Sequence, residues 1–172
     1  EAAEVIQGLR ELGISKLVMM TGDNEKTARS VAEAVGLTEF HAGVLPEDKA
    51  NYIRAEHAAG RKVIMLGDGV NDSPALSEAD VGIAIRDGAA IAREVADITV
   101  GADNLYGLLT LKKLSDALMA RIHHNYRFII SFNFMLICLG VAGILPPATS
   151  ALFHNASTLM ISLRSMTNLL EA

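Results

Sequence analysis

Residues 128 to 145, FIISFNFMLICLGVAGIL, carry no charge over about 18 positions, the length at which a helix first reaches across a bilayer. Pro146 and Pro147 then turn the chain, and a second charge-free run, Ala148 to Leu163, ends at Arg164. Arg121 and Arg127 flank the first run, so a hairpin of two spans would keep both of its ends on the cytoplasmic side. Two spans cannot shield their own polar atoms and would need partner helices from outside this chain. The other reading of these lengths is a pair of buried core helices.

Charge is distributed as unevenly as hydropathy. Of the 20 Asp and Glu residues only Glu171 lies beyond Asp116, whereas Arg121, Arg127 and Arg164 fall in the last third. An acidic front half argues against nucleic acid as a partner, because neutralising phosphates takes clustered Lys and Arg. The lone cysteine, Cys138, excludes a disulfide framework and any cysteine-built zinc site within the chain. The opening EAAEVIQGLRELG is a charged amphipathic helix that stops near Gly13 and not a signal peptide. With no initiator Met, the chain is expected to be a portion of a longer one.

Up to about Val100, short runs rich in Val, Ile, Leu and Met alternate with helical patterns, which is how a parallel α/β sheet reads. The expected strands are KLVMM, KVIML, VGIAI and DITV; the expected helices are NEKTARSVAEAVG, EDKANYIRAEHAAG and DGAAIAREVA. Ligands of such sheets sit at the carboxyl ends of strands, where TGD (21 to 23) and GDG (67 to 69) both fall. From Asp103 to Arg127 the pattern becomes one long helix leading into the charge-free run.

A carboxylate at a strand end, freed by flanking glycines, can approach a phosphate-bound magnesium ion closely, and Asp68 between Gly67 and Gly69 meets that need. Asp72, beside Asn71 at the start of SPALSEA, would order metal-bound water or simply cap the helix. Thr21 as a hydroxyl donor, Asp23 and Lys49 would complete a phosphoryl site, since a phosphoryl group in transfer spreads charge over its equatorial oxygens. The plainer alternatives are Asp23 as a helix cap and Lys49 as a solvated residue in the first turn after Pro46.

In order, TGDN, PEDK and MLGDGVNDSPAL resemble the P-type ATPases, whose phosphorylation domain belongs to the haloacid dehalogenase superfamily. The resemblance covers nearly the whole chain. It implies a partial, parallel-sheet, haloacid-dehalogenase-like (Rossmann-like) α/β domain over residues 1–102, a connecting helix over 103–127 and a transmembrane helix pair over 128–172. It implies that Thr21 and Lys49 hold the phosphoryl group, that Asp68 binds Mg²⁺ with Asn71 and Asp72 in support, and that Gly22 and Asp23 lie near the nucleotide. Gly67 and Gly69 flank the metal carboxylate. Ser73 departs from the family's usual Ala. The family's DKTGT, whose aspartate attacks the γ-phosphate, is missing from this sequence, so the chain alone is expected to be inactive.

On the second charge-free run His154, Asn155, Ser157, Thr158, Ser162 and Ser165 are polar at helical spacings, and an ionisable intramembrane His is a functional candidate. Asn133 is the matching polar residue of the first run; Cys138 reads as a small apolar filler. The short turn resembles the transition-metal branch of the family. Its copper members carry YN, then Met and paired serines, where this chain has Phe132-Asn133, His154 and Ser157-Thr158. Imidazole suits Zn, Co, Cd, Ni, Fe or Mn better than Cu(I). The resemblance therefore implies an ATP-driven exporter of a divalent transition metal in the cell membrane, its soluble part cytoplasmic, its partners lipid, the metal and the pump's upstream domains. The alternatives are a potassium-pump subunit or a membrane-anchored phosphatase of the same superfamily.

Overall fold

The structure, a computed structural model, describes residues 1–68, 70–85, 94–101 and 104–170. Gly69, Asp103 and most of the expected helix DGAAIAREVA lie outside the described residues. The chain forms two compact units, Glu1–Thr110 and Leu111–Ala172.

In the first unit helices and strands alternate, as the periodicity predicts. α1 (Ala2–Glu11) precedes β1 (Val18–Met20), and the turn after α1 uses Gly13 at φ 89°, a conformation that favours glycine. α2 (Glu25–Val35) is capped by the Asn24 side chain, which accepts from Thr27 N at 3.0 Å, and closes on Gly36 at φ 77°. β2 (Glu39–His41) runs parallel to β1, with Met19 opposite Phe40. α3 (Pro46–Ala58) starts with proline in its first turn, and Asp48 reaches back to accept from Leu45 N at 3.1 Å. Next come β3 (Ile64–Gly67), a single 3₁₀ turn (Val70–Asp72), α4 (Ser73–Glu78), β4 (Val81–Ile85) and β5 (Ile98–Val100).

The strands form two parallel sheets, β1-β2 and β3-β4-β5. β1 and β3 each pair on one side only among the described residues. Leu76 of α4 and Ala84 of β4 make the buried centre, with Met65 and Ala96 packed against them. Gly82 lets α4 seat closely on β4, since a Cβ there would stand 2.7 Å from the Leu76 carbonyl oxygen. β2 is absent from the expected strand set, because Glu39-Phe40-His41 offers neither an apolar run nor a clean alternation.

α5 (Tyr106–Val141) begins in the first unit and supplies the first helix of the second, with α6 (Pro147–Ser165) antiparallel to it there. The connecting helix and the first charge-free run are thus one continuous helix. The expected pair of apolar spans is not found: no helix among the described residues is long and apolar enough to cross a membrane. The reason is local. α5 stops at Val141, leaving the end of the charge-free run in the turn, and α6 interleaves His154, Asn155 and hydroxyl residues with its apolar ones. Large apolar side chains nonetheless face outward on both helices, among them Phe134 and Ile137 of α5 and Leu152 and Leu163 of α6.

Candidate functional site

Three of the strand and helix ends in the first unit meet at one cavity. β3 delivers Gly67 and Asp68, β1 is followed by Thr21 and Gly22, and the first turn of α3 carries Lys49; with Asp72 these six residues line a cavity of about 290 Å³. Residues that are 28 and 19 positions apart along the chain, Thr21 to Lys49 and Lys49 to Asp68, thereby share one space.

Asp72 is 7% exposed although it is charged. One carboxylate oxygen accepts from Lys49 Nζ at 2.7 Å and the other from the backbone N of Asp68 at 3.3 Å. A buried carboxylate is tolerable only when both charge and hydrogen bonding are satisfied, and here they are. Asp72 stands at the N-cap position of α4 but gives that helix no side-chain cap bond. Lys49, whose side chain is 12% exposed, is paired and not solvated. Gly67 makes this packing possible, because a Cβ at that position would lie 2.6 Å from Asp72 Cβ.

Asp68 differs from Asp72. Its carboxylate is exposed and makes no hydrogen bond or ion pair with any described residue, leaving hard oxygen atoms directed from a strand end. That donor chemistry suits Mg²⁺, which is often held by one or two carboxylates plus substrate phosphates and water.

The TGD segment is tied down by a local turn. Thr21 Oγ1 donates to Asp23 Oδ2 at 3.0 Å and accepts from Asp23 N at 3.1 Å, while Val44 N donates to Thr21 O and Gly43 N to Asp23 O. Asn24, and not Asp23, caps α2. Asp23 and the exposed Asn71 do not line the cavity. Ser73 has its hydroxyl buried without a partner among the described residues.

In the second unit the ring of His154 meets Asn133 Oδ1 at 2.9 Å. Ser157 and Thr158 both donate to His154 O, at 2.8 and 3.1 Å, so their hydroxyl protons serve their own helix. Cys138 is exposed. No group of three or more His, Cys, Asp or Glu among the described residues is placed to hold a metal.

A larger cavity, about 560 Å³, opens beside β2, lined among others by Glu25, His41, Asp48 and Tyr52. It holds no part of the Lys49–Asp72–Asp68 cluster, and size alone does not make it the centre of phosphoryl chemistry. Next to it Lys16 Nζ lies 2.7 Å from Tyr52 Oη and 3.0 Å from both Glu39 and Glu56. Tyr52 also donates to Glu39 at 2.7 Å. Hydrogen bonds from Arg61 and then Lys16 hold the Glu56 carboxyl down to about 2, and Tyr52 leads the groups that raise Lys16 above its ordinary value. Sequence reasoning missed this cluster, which forms only once β2 is placed.

A family model described as haloacid dehalogenase-like hydrolase matches residues 1–80. The zinc-exporting P-type ATPase of Mycobacterium marinum is 41% identical over 162 residues, 94% of this chain and 22% of that protein. The manganese-exporting P-type ATPase of Mycobacterium leprae is also 41% identical, over the same shares of the two chains. A crystal structure of a zinc-transporting PIB-type ATPase in the E2.Pi state superposes with a TM-score of 0.90 at 32% identity, covering 98% of this chain and 27% of the other. The chain therefore spans about a fifth of the length of the curated relatives it matches.

Proposed function

We propose, from the premise that this chain belongs to the heavy-metal P-type ATPases, that it supplies the phosphate-binding half of the phosphorylation site of an ATP-driven exporter of divalent transition-metal cations. The observation that carries this reading is the single cavity lined by Thr21, Lys49 and Asp68.

The two-sheet arrangement supports it. β1 and β3 each have an unpaired edge among the described residues, and residues from the ends of both strands, Met20 and Thr21 on one side and Leu66 and Gly67 on the other, border the same cavity. A parallel strand from the longer protein, inserted between them, would carry its carboxyl end to that cavity. An aspartate there would attack the γ-phosphate of ATP, forming an aspartyl-phosphate bond as the bond to ADP breaks; water would later release phosphate.

This chain's residues then have separable tasks. Lys49, oriented by Asp72, donates to a phosphoryl oxygen, and the Thr21 hydroxyl turns from Asp23 to a second one. Asp68 would hold Mg²⁺, which when bound supplies positive charge against the phosphoryl oxygens. Gly22 leaves room for close backbone approach, Asp23 stands near the nucleotide, and Asn71 supports the Mg²⁺ site beside Asp68.

For transport, the α5–α6 pair sits in the membrane among further helices of the longer protein, which cover its polar positions and its outward apolar side chains. Asn133, His154, Ser157 and Thr158 face the cation there. Imidazole and amide oxygen suit a zinc- or manganese-like divalent ion better than Cu(I). The first unit lies on the cytoplasmic side.

The test is ATP turnover by the full-length protein in lipid vesicles against a panel of Zn, Mn, Co, Cd, Ni, Fe and Cu(I). Stimulation by one or more divalent ions, lost by roughly a hundredfold or more in Lys49→Ala, is expected. Turnover insensitive to every metal would end the exporter reading.

A further inference from the structure

Polar contacts between α5 and α6 advance along one helix as they recede along the other. Arg121 donates to three carbonyl oxygens at the end of α6 and just beyond it: Ser165 at 3.2 Å, Thr167 at 2.6 Å and Asn168 at 2.9 Å. One turn further along α5, Arg164 donates to His124 Nε2 at 3.1 Å and Asn125 Nδ2 donates to Ser165 Oγ at 3.0 Å. The next polar pair is Asn133 with His154 at 2.9 Å.

These contacts do something the apolar side chains do not. Both helices present Leu, Ile, Phe and Met around much of their circumference, so sliding one along the other by a turn exchanges one apolar contact for another. A polar pair is not exchanged so freely: one turn to either side of His154 stand Ser150 and Thr158, which carry a hydroxyl and no imidazole, and polar residues are what specify register in helix pairs. The last carbonyls of a helix have no partners within it, and they favour a nearby cation. The planar guanidinium of Arg121 reaches three at once, which the single ammonium of a lysine cannot reproduce.

We infer that Arg121 sets the register of α6 on α5 and so keeps His154 opposite Asn133, making Arg121 a positioning residue for the cation site from about 18 Å along the helix. This rests on the reading of Asn133 and His154 given under the proposed function. A slip of one turn, about 5.4 Å, would part that pair completely while leaving the apolar contacts largely satisfied.

The experiment is metal-stimulated ATP turnover by the full-length protein in vesicles, titrated with Zn²⁺ and with Mn²⁺. Arg121→Lys is expected to raise the half-saturating metal concentration by about ten- to a hundredfold, the range seen when groups that orient metal ligands are removed. Its maximal rate per folded pump should stay within about twofold, because binding and not chemistry is disturbed. His154→Ala should show a comparable shift, and Arg121→Lys added to it should shift the titration no further. Arg121→Gln, which keeps an amide donor but loses the charged fork, should move half-saturation the same way, and it serves if Arg121→Lys is recovered poorly. A merely structural role would lower the amount of active protein and leave half-saturation in place. Wild-type half-saturation in Arg121→Lys or Arg121→Gln alongside a shifted His154→Ala overturns the inference. Wild-type half-saturation in His154→Ala overturns the cation-site reading, and the inference with it.

Discussion

A methyl group added to Gly67 would stand 2.6 Å from Asp72 Cβ, and that one clash links a backbone position to a buried charge pair. Gly67→Ala is expected to push Asp72 off Lys49 and destabilise the chain by about 1–3 kcal/mol, read from urea midpoints. Asp72→Ala strands Lys49 where its side chain is 12% exposed and should cost about 3–5 kcal/mol, whereas the pair Lys49→Met with Asp72→Leu should recover most of that loss. A double replacement as unstable as Asp72→Ala would mean that the pair is not what holds this corner. At this scale the residue types at the site were readable from the motifs, but the 2.7 Å Lys49–Asp72 bond was not, since it depends on where α3 lies across from α4. The same holds for Glu56, whose partners Lys16 and Arg61 come from separate turns. Its folded carboxyl is depressed from 4.5 to about 2, so its contribution to stability is present above pH 4.5 and disappears as pH falls toward 2. Glu56→Gln should flatten the acid limb of a thermal-midpoint profile over that window; an unchanged limb would contradict the assignment.

At the scale of elements, the fold of the first unit rests on α4 lying directly on β4. Gly82→Ala would bring a Cβ to 2.7 Å from the Leu76 carbonyl oxygen, a backbone atom that cannot turn away, so α4 must lift and the chain should lose about 1–3 kcal/mol. Gly22→Ala is the control, because its Cβ would meet only Val44 O at 3.8 Å, an ordinary contact. It should melt with the wild type. In the full-length protein it should nevertheless slow phosphoenzyme formation if phosphate approaches that backbone closely. Equal destabilisation by the two substitutions, measured by thermal unfolding, would count against this packing account. Strands β1, β3, β4 and β5 were legible because apolar runs bounded by turns mark buried parallel strands. β2 was not: Phe40 stands between Glu39 and His41, and only the ladder to β1 makes the segment a strand. α5 was legible as helix on both sides of residue 127 but not as one element, since hydropathy changes there while the backbone does not.

For the molecule as a whole, the unpaired edges of β1 and β3 and the outward apolar side chains of α5 and α6 describe one condition, surface without a partner among the described residues, which on the proposed reading other parts of a longer protein would cover. Composition revealed the second of these, through the charge-free runs, but not the first, because an unpaired strand edge depends on which strand is its neighbour. Ile64 and Leu66, at 53% and 38% exposure, show the consequence on β3, where apolar side chains of a parallel strand would ordinarily be covered on both faces. Unpaired strand edges exchange their amide hydrogens through local opening and not through global unfolding. If an inserted strand joins the sheets, the edge-facing amides of β1 and β3 should exchange rapidly in this chain and be protected by about a hundredfold or more in the full-length protein. The amides that already bond β4 to β5 provide the internal reference, because their pairing is complete in both forms. Equal exchange at the β1 and β3 edges in the two proteins would show that no strand enters between them, and the attacking carboxylate would then have to reach Thr21, Lys49 and Asp68 by another route.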